Sequence, residues 1–191
     1  DITRKIKEVK ELFARKYPRQ EFLVCLSEYN CNDLHINQRI PGFVEGIGRF
    51  PEVGIDIGNF WPMRIRGMEQ RSMFSLSTQE PQYPYTIIKG FSTMIRGDMV
   101  RCDRTDSCYT FAAATNDRLV IVISGRELKK EKEITLHIRE FPVRDISCMS
   151  YHIVEKPVPD VKVVPESVKT ENKLIKVNIT PATFMVIAVN K

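Results

Sequence analysis

A glutamate directly follows the first buried strand that the sequence predicts. The nearly continuous apolar run 22–27 is typical of a strand covered on both faces, and Glu28, Tyr29 and Asn30 come next. A structural turn at such a point would more often contain Gly, Pro or Asp. Two interpretations of Glu28 remain open. One is a salt bridge or helix cap, and the other is a catalytic carboxylate that a rigid strand holds towards a substrate.

Further candidate side chains lie in the next strand and in the loop before it. Trp61, the only tryptophan, ends the run 53–61 directly before Pro62, so it either fills the core or lies at the rim of a binding site. Asn59 precedes Trp61 by two residues and should point to the same side of the strand. His35 follows the first strand in a loop, where it is either a surface histidine or a substrate contact.

Helices and strands alternate in the first half of the chain. Apolar residues recur at helical spacing in 1–17 and 87–95, and a third helix is expected within 36–50, which contains Pro41 and three glycines. This order is typical of parallel strands joined by crossover helices, the repeating unit of an α/β barrel or open sheet. Two strands cannot close a barrel. Residues 1–98 therefore either complete a sheet supplied by another chain or segment, or form the C-terminal part of a (β/α)8 TIM barrel.

The pattern changes after residue 98 to short β-branched or alternating runs separated by polar turns. Roughly seven such runs occur, at 99–103, 108–115, 119–124, 134–139, 146–154, 174–179 and 184–189. Strands of this length and spacing predict an antiparallel β-sandwich over 99–191. Pro157, Pro159 and Pro165 predict an irregular connection after the fifth strand. The expected fold class is thus α/β followed by an all-β domain.

These residues resemble a known group of enzymes. A strand, Glu28, an aromatic and Asn, followed by one helix and a strand ending in Phe-Trp, is similar to the last two barrel units of clan A glycoside hydrolases. The resemblance implies a retaining mechanism with Glu28 as the nucleophile and a second carboxyl about 5 to 5.5 Å away as acid/base. A C-terminal β-sandwich beside the barrel is also similar to several families of this clan, including arabinofuranosidases and β-xylosidases.

The resemblance also assigns expected roles to the other candidates and implies a carbohydrate substrate. Trp61 matches the aromatic that forms a platform under the sugar, and Asn59 can reach a sugar hydroxyl. Tyr29, Asn30 and His35 are the remaining expected substrate contacts. None of the polar neighbours of Glu28 is assigned as the donor that keeps its carboxylate ionised, because only alternate residues of a strand face the same way.

The second carboxyl of the retaining pair is not found in the sequence. The resemblance places it after the fourth barrel strand, which would precede Asp1, and Asp56 is expected to be a satisfied polar group. We therefore expect the acid/base from an N-terminal barrel segment or from a second polypeptide. This chain alone should not hydrolyse glycosides.

Composition and charge exclude several other classes of function. The net charge of +5 is small, and the charged run 126–133 mixes both signs, so no nucleic-acid interface is expected. No run of about 18 apolar residues exists, so no membrane span is expected either. We therefore expect a soluble protein. The sequence leaves its compartment open, and a secreted, lysosomal or periplasmic location would all fit.

The five cysteines include no C-x-x-C pair and no histidine at zinc-ligand spacing, so neither a metal nor another cofactor is expected. Cys102 and Cys108 could form a disulfide if they face each other across a hairpin. One rival interpretation remains, a non-catalytic β-sandwich that binds carbohydrate or another protein. It requires exposed aromatics on the sandwich, where the candidates are Tyr109, Phe111, Phe141, Tyr151 and Phe184.

Overall fold

The computed structural model of the chain describes residues 2–31, 35–67, 71–103, 108–154, 160–171 and 173–191. The first half of this described part alternates helices and strands, in the order α1 (Ile2–Lys16), β1 (Cys25–Tyr29), α2 (Ile36–Val53), β2 (Ile57–Phe60) and α3 (Tyr83–Met94). The second half consists of strands, namely β3 (Asp98–Val100), β4 (Tyr109–Ala114), β5 (Arg118–Ser124), β6 (Lys132–His137), β7 (Asp145–Val154), β8 (Asp160–Glu166), β9 (Lys169–Glu171), β10 (Leu174–Ile179) and β11 (Phe184–Asn190).

The strands β1 and β2 pair in parallel, and α2 is the crossover between them. This confirms the helix and strand order predicted for the first half of the chain. The helix α2 includes Pro41 and Pro51 and ends at Gly54, whose left-handed conformation (φ 81°) allows its N–H to reach the carbonyls of Phe50 and Pro51. Within the described residues the parallel sheet has two strands, so its completion into a barrel stays a prediction.

The second half contains two antiparallel sheets, as the strand pattern predicted. One has the order β3-β4-β5-β11-β7-β8 and the other the order β6-β10-β9. Apolar side chains from both sheets form a common core, with the central strands β5 and β11 supplying Ile121, Ile123 and Ile187 and β10 supplying Ile175 and Ile179. Alternate residues of each strand therefore point into the layer between the sheets.

The opposite face of the six-stranded sheet is covered by helices. Phe43 of α2, with Tyr83 and Ile87 of α3, packs in one cluster with Phe111 of β4 and Phe184 of β11. The α/β part and the antiparallel sheets thus share a core. The division of the chain into domains 1–98 and 99–191 stays a prediction.

One part of the strand prediction was wrong. The proline-containing segment expected to be irregular includes β8, which pairs with β7 from Cys148–Glu166 to Val154–Asp160. Pro165 is tolerated because β8 is the outermost strand of its sheet, where one side of the backbone needs no partner. The short strand β9 was also not predicted, because its three residues are all polar and show no alternation of apolar and polar side chains.

No disulfide bond joins Cys102 to Cys108 in the structure, which describes both residues. Cys108 is buried in the layer between the two antiparallel sheets, and Cys102 packs at the margin of that layer. The turn residues between them, 104–107, lie outside the described part of the chain. The two side chains contribute to the core as small apolar groups.

Candidate active site

The candidate residues lie where β1 and β2 end at a common edge of the parallel sheet. Cys25 pairs with Ile57 and Leu26 with Gly58, but Tyr29 then pairs with Phe60. Three steps along β1 therefore match two steps along β2. The extra residue forms an irregularity of the β-bulge type at Ser27 and Glu28, opposite the residue that precedes Phe60.

The bulge determines which side chains point away from α2. Regular alternation along β1 would bring Glu28 to the face opposite Cys25 and Ser27. Instead Ser27 and Glu28 are both exposed, and Tyr29 turns towards the helix. The extra residue thus gives the carboxylate of Glu28 its outward direction, as bulges often do near binding sites.

We use the term open face for the exposed side chains of β1 and β2 together with Trp61. It consists of Cys25, Ser27, Glu28, Ile57, Asn59 and Trp61. Asn59 Nδ2 lies 3.7 Å from Cys25 Sγ, so side chains of the two strands meet across this face. The structure therefore brings Glu28, Asn59 and Trp61 to one face at the end of the sheet.

The side chain of Trp61 is 37% exposed, and its peptide bond to Pro62 is cis. Its backbone is held by the end of β1. Trp61 N–H donates to the carbonyl of Tyr29 at 3.1 Å, and the Trp61 carbonyl accepts from Asn30 Nδ2 at 2.8 Å. The indole thus lies at the rim of the open face on a fixed backbone.

Tyr29 lies in the core behind the open face. Its ring stacks on Phe43 at 5.3 Å and meets Phe50 edge-on at 4.7 Å, and its hydroxyl donates to the Phe43 carbonyl at 2.6 Å. A Cβ at Gly46 would overlap this hydroxyl, so only glycine leaves room there. Burial raises the pKa of Tyr29 well above its usual value, and the side chain acts as a neutral packing group.

Asn30 also points inwards. Its amide nitrogen donates to the carbonyls of Trp61 at 2.8 Å and Arg71 at 3.1 Å, so both amide hydrogens are used within the protein. The structure therefore does not bring Tyr29 and Asn30 to the open face. Their directions could not be predicted from sequence because the bulge precedes them.

His35 is the residue before the first turn of α2. Its side chain is exposed and does not cap the helix, while its carbonyl accepts hydrogen bonds from the N–H groups of Gln38 and Arg39 at 2.9 and 2.8 Å. The preceding loop residues 32–34 lie outside the described part of the chain. The structure thus places His35 at the start of α2.

Asp56 lies at the opposite end of β2 from Trp61. Its Oδ2 accepts from Lys10 Nζ and from Val24 N–H, both at 2.8 Å. These hydrogen bonds hold the pKa of Asp56 below its usual value. These contacts confirm that Asp56 is a satisfied polar group, and the expectation that it is not the second catalytic acid stays a prediction.

Among the described residues, the Glu28 carboxylate has no hydrogen-bond or ion-pair partner. Its carboxylate is therefore available to a substrate atom or to a group from outside these segments. In the described part of the chain, no three His, Cys, Asp or Glu side chains are grouped so that they could hold a metal ion.

A buried polar contact on the other side of α2 was missed in the sequence. Glu45, 6% exposed, accepts a 2.7 Å hydrogen bond from Ser124 Oγ, and Arg126 Nη1 lies 3.5 Å from its other oxygen. Arg126 also donates through Nε to Gln38 at 3.0 Å. The sequence did contain a signal for this contact, namely a charged residue, Glu45, on the otherwise apolar face of α2. These hydrogen bonds connect α2 to the end of β5.

The aromatic candidates of the rival binding interpretation are mostly buried. Tyr109, Phe111, Tyr151 and Phe184 are between 0 and 8% exposed, and they pack between the six-stranded sheet and the helices. Phe141 packs at the margin of the core between the sheets. None of these five forms an exposed aromatic platform for a sugar.

Comparison with known proteins gives matches of structure alone. No family model matches the sequence, and no curated protein matches it. A glycoside hydrolase family 30 subfamily 8 xylanase from Clostridium acetobutylicum has a TM-score of 0.69 and 13% identity, over 94% of this chain and 45% of that chain. A GH30 endoxylanase from Clostridium papyrosolvens has a TM-score of 0.65 and 14% identity, over 95% and 45%.

A third solved structure, a family 44 xyloglucanase from Paenibacillus polymyxa, has a TM-score of 0.62 and 12% identity, over 97% of this chain and 35% of that chain. The similarity to these glycoside hydrolases is one of fold. The chain spans less than half the length of these three structures. In the described residues, no helix combines the length and the apolar character needed to cross a membrane.

Proposed function

We propose that this chain is part of a retaining glycoside hydrolase that cleaves O-glycosidic bonds of a poly- or oligosaccharide, with Glu28 as the nucleophile. The observation that carries the proposal is the bulge at Ser27 and Glu28. It directs the Glu28 carboxylate outwards at the carboxyl end of two parallel strands, on the face that also carries Trp61. This carboxylate has no hydrogen-bond or ion-pair partner among the described residues. A carboxylate at the carboxyl end of a strand is where barrel enzymes hold their catalytic groups, and it supplies one of the two carboxyl groups that a retaining mechanism needs.

In this mechanism Glu28 attacks the anomeric carbon and forms a glycosyl-enzyme, while a second carboxyl protonates the departing oxygen. The same carboxyl then removes a proton from the water that releases the sugar. Trp61 supports the apolar face of the sugar, and Asn59 offers its amide to a hydroxyl. His35 is a further candidate contact from the start of α2. The acid/base group comes from an upstream segment or a second polypeptide.

The surface of the α/β part supports the need for such a segment. Parallel sheets are normally covered on both faces and contain more than two strands. Here the open face exposes Ile57, and Leu23 before β1 is 67% exposed. The helix α1 also exposes apolar side chains, namely Val9, Leu12, Phe13 and Tyr17. We propose that the remaining strands and helices of a (β/α)8 barrel cover these surfaces.

The test combines the full chain with its natural upstream sequence and compares wild type with Glu28→Gln on xylan, xyloglucan and aryl glycosides. The first two substrates are chosen because the similar solved structures are named after them, and aryl arabinosides and xylosides test the arabinofuranosidase and β-xylosidase alternative. We expect the variant to lose turnover by several orders of magnitude, whereas the exposed control Glu21→Gln retains it.

Two further measurements separate the parts of the proposal. In Glu28→Ala, added azide should restore cleavage and yield a glycosyl azide of inverted anomeric configuration, because the small anion occupies the place of the missing carboxylate. NMR of the first product formed by the wild type should show the anomer of the substrate. Full turnover in Glu28→Gln would rule out the nucleophile assignment, and an inverted product would rule out the retaining mechanism.

A further inference from the structure

The structure assigns a positioning function to Asn30: its side-chain amide holds the backbone of Trp61 in register with the strand end that carries Glu28. Only the catalytic consequence of this inference rests on the proposed function. The contacts themselves belong to the described structure, and they can be tested on the chain without any substrate.

The first observation is that Trp61 is held through both polar atoms of its backbone. Its N–H donates to Tyr29 at 3.1 Å, which continues the pairing of β1 and β2 by one residue. Its carbonyl accepts from Asn30 Nδ2 at 2.8 Å. Tyr29 and Asn30 are the two residues that follow Glu28, so the position of Trp61 depends directly on the strand end that carries the carboxylate.

The second observation is that the same amide also binds a second segment of the chain. Asn30 Nδ2 also donates to the Arg71 carbonyl at 3.1 Å. Beyond this point the chain returns along the segment after Trp61, because Met73 N–H donates to the Pro62 carbonyl at 3.2 Å and Phe74 N–H to the Met63 carbonyl at 3.0 Å. Asn30 thus connects the segment that begins at Trp61 to the segment that begins at Arg71.

The chemistry of the contact requires an amide. Two carbonyl oxygens converge on one nitrogen, and an asparagine amide supplies the two hydrogens they need. Asn30 Oδ1 is buried and has no hydrogen-bond partner among the described residues. The orientation of the amide is therefore set by the two hydrogen bonds that its nitrogen donates. A carboxylate of the same shape would face two carbonyl oxygens and could donate to neither.

Trp61 is the only tryptophan of the chain, so its fluorescence reports on this contact directly. We compare Asn30→Asp with wild type and with Asn178→Asp, which makes the same chemical change on the exposed side of β10. Circular dichroism establishes that each variant is folded at the temperature used. We expect a red-shifted emission and a larger acrylamide quenching constant in Asn30→Asp only, since a purely global loss of stability would leave the folded-state spectrum unchanged.

If Asn30→Asp does not fold, Asn30→Ser is used, because its single short donor carries no charge and cannot span both carbonyls. Emission and quenching equal to those of wild type in a folded variant at this position would overturn the inference. In the complete enzyme, a loosened Trp61 should lower kcat/KM by roughly 100-fold, the effect of a misplacement of about 1 Å.

The outcomes distinguish this inference from the proposed function. If the chain joined to its natural upstream sequence shows the changed Trp61 signal but cleaves no glycoside, the result supports the positioning function and contradicts the proposed one. A changed signal with unaltered kcat/KM in an active enzyme contradicts the catalytic consequence. An unchanged signal with lowered kcat/KM shows that Asn30 acts by a route other than Trp61, and the inference is then wrong.

Discussion

Ser124 Oγ donates a 2.7 Å hydrogen bond to Glu45 Oε1 and thereby joins the last residue of β5 to the middle of α2. Further along the same helix, the Tyr109 hydroxyl donates to Glu52 at 2.8 Å, and the guanidinium of Arg49 lies 4.5 Å from the centre of the Tyr109 ring. The six-stranded sheet thus supports α2 along its length, and α2 in turn packs against Tyr29, next to Glu28.

Removal of the Ser124 hydroxyl should destabilise the protein measurably. In Ser124→Ala the buried Glu45 carboxylate loses its shortest hydrogen bond, and the loss of a hydrogen bond to a charged group costs about 1.5–3 kcal/mol in the free energy of unfolding. Urea denaturation gives this quantity. The exposed Ser92→Ala should change it by less than about 0.5 kcal/mol, and equal effects in the two variants would contradict the assigned contact.

Phe184 should be among the most costly residues to truncate. Its side chain is fully buried, its ring stacks on Tyr151 at 4.4 Å, and Phe91 of α3 meets it edge-on at 6.0 Å. Phe184→Ala should therefore lower the free energy of unfolding by about 3–5 kcal/mol. Calorimetry or denaturant titration measures the change. The exposed Val163→Ala, on the outermost strand β8, serves as control and should cost far less.

Acid should weaken the contact between α1 and the start of β2. The pKa of Asp56 is lowered in the folded state by its bonds to Lys10 and to the N–H of Val24, so the carboxylate stabilises the protein above its unfolded pKa of about 3.9. This contribution disappears as the pH falls through the lower folded pKa. Between pH 6 and pH 2 the melting temperature should fall more steeply in wild type than in Asp56→Asn. Parallel curves for the two proteins would contradict the prediction.

The cysteines should differ strongly in their reaction with iodoacetamide. Cys25 is exposed on the open face, whereas Cys148 is 3% exposed. Burial, with a smaller effect of Glu166, raises the pKa of Cys148 to about 12, so almost no thiolate is present at pH 8. Mass spectrometry after brief alkylation should find Cys25 modified and Cys148 unmodified. Cys148 should become modified only in denaturant, and labelling of both under native conditions would contradict the structure.

Repeating patterns of apolar residues were sufficient to predict most of the elements. Helical spacing located α1 and α3, continuous or alternating runs located β1, β2 and the central strands of the antiparallel sheets, and the pair Glu28 and Trp61 was correctly placed at adjacent strand ends. These features depend on local periodicity, which a single chain displays directly.

Features that depend on pairing between distant segments could not be predicted. The strand β8 contains a proline that its edge position makes acceptable, and the edge position is a property of the whole sheet. Tyr29 and Asn30 were expected at the substrate, but the register between β1 and β2 turns them inwards. Glu45 finds its partners 79 and 81 residues further along the chain.

The bulge in β1 also bears on how motifs of this kind should be searched for. If the strand kept all its residues but paired without the bulge, the triplet Glu28, Tyr29 and Asn30 would survive letter for letter, while regular alternation would carry the carboxylate to the helix side and the phenol to the open face. A distant homologue with the same three letters in a regularly paired strand of the same length would present a tyrosine where this chain presents a glutamate. Whether such a triplet is catalytic is therefore decided by the pairing register of its strand as much as by the identity of its residues.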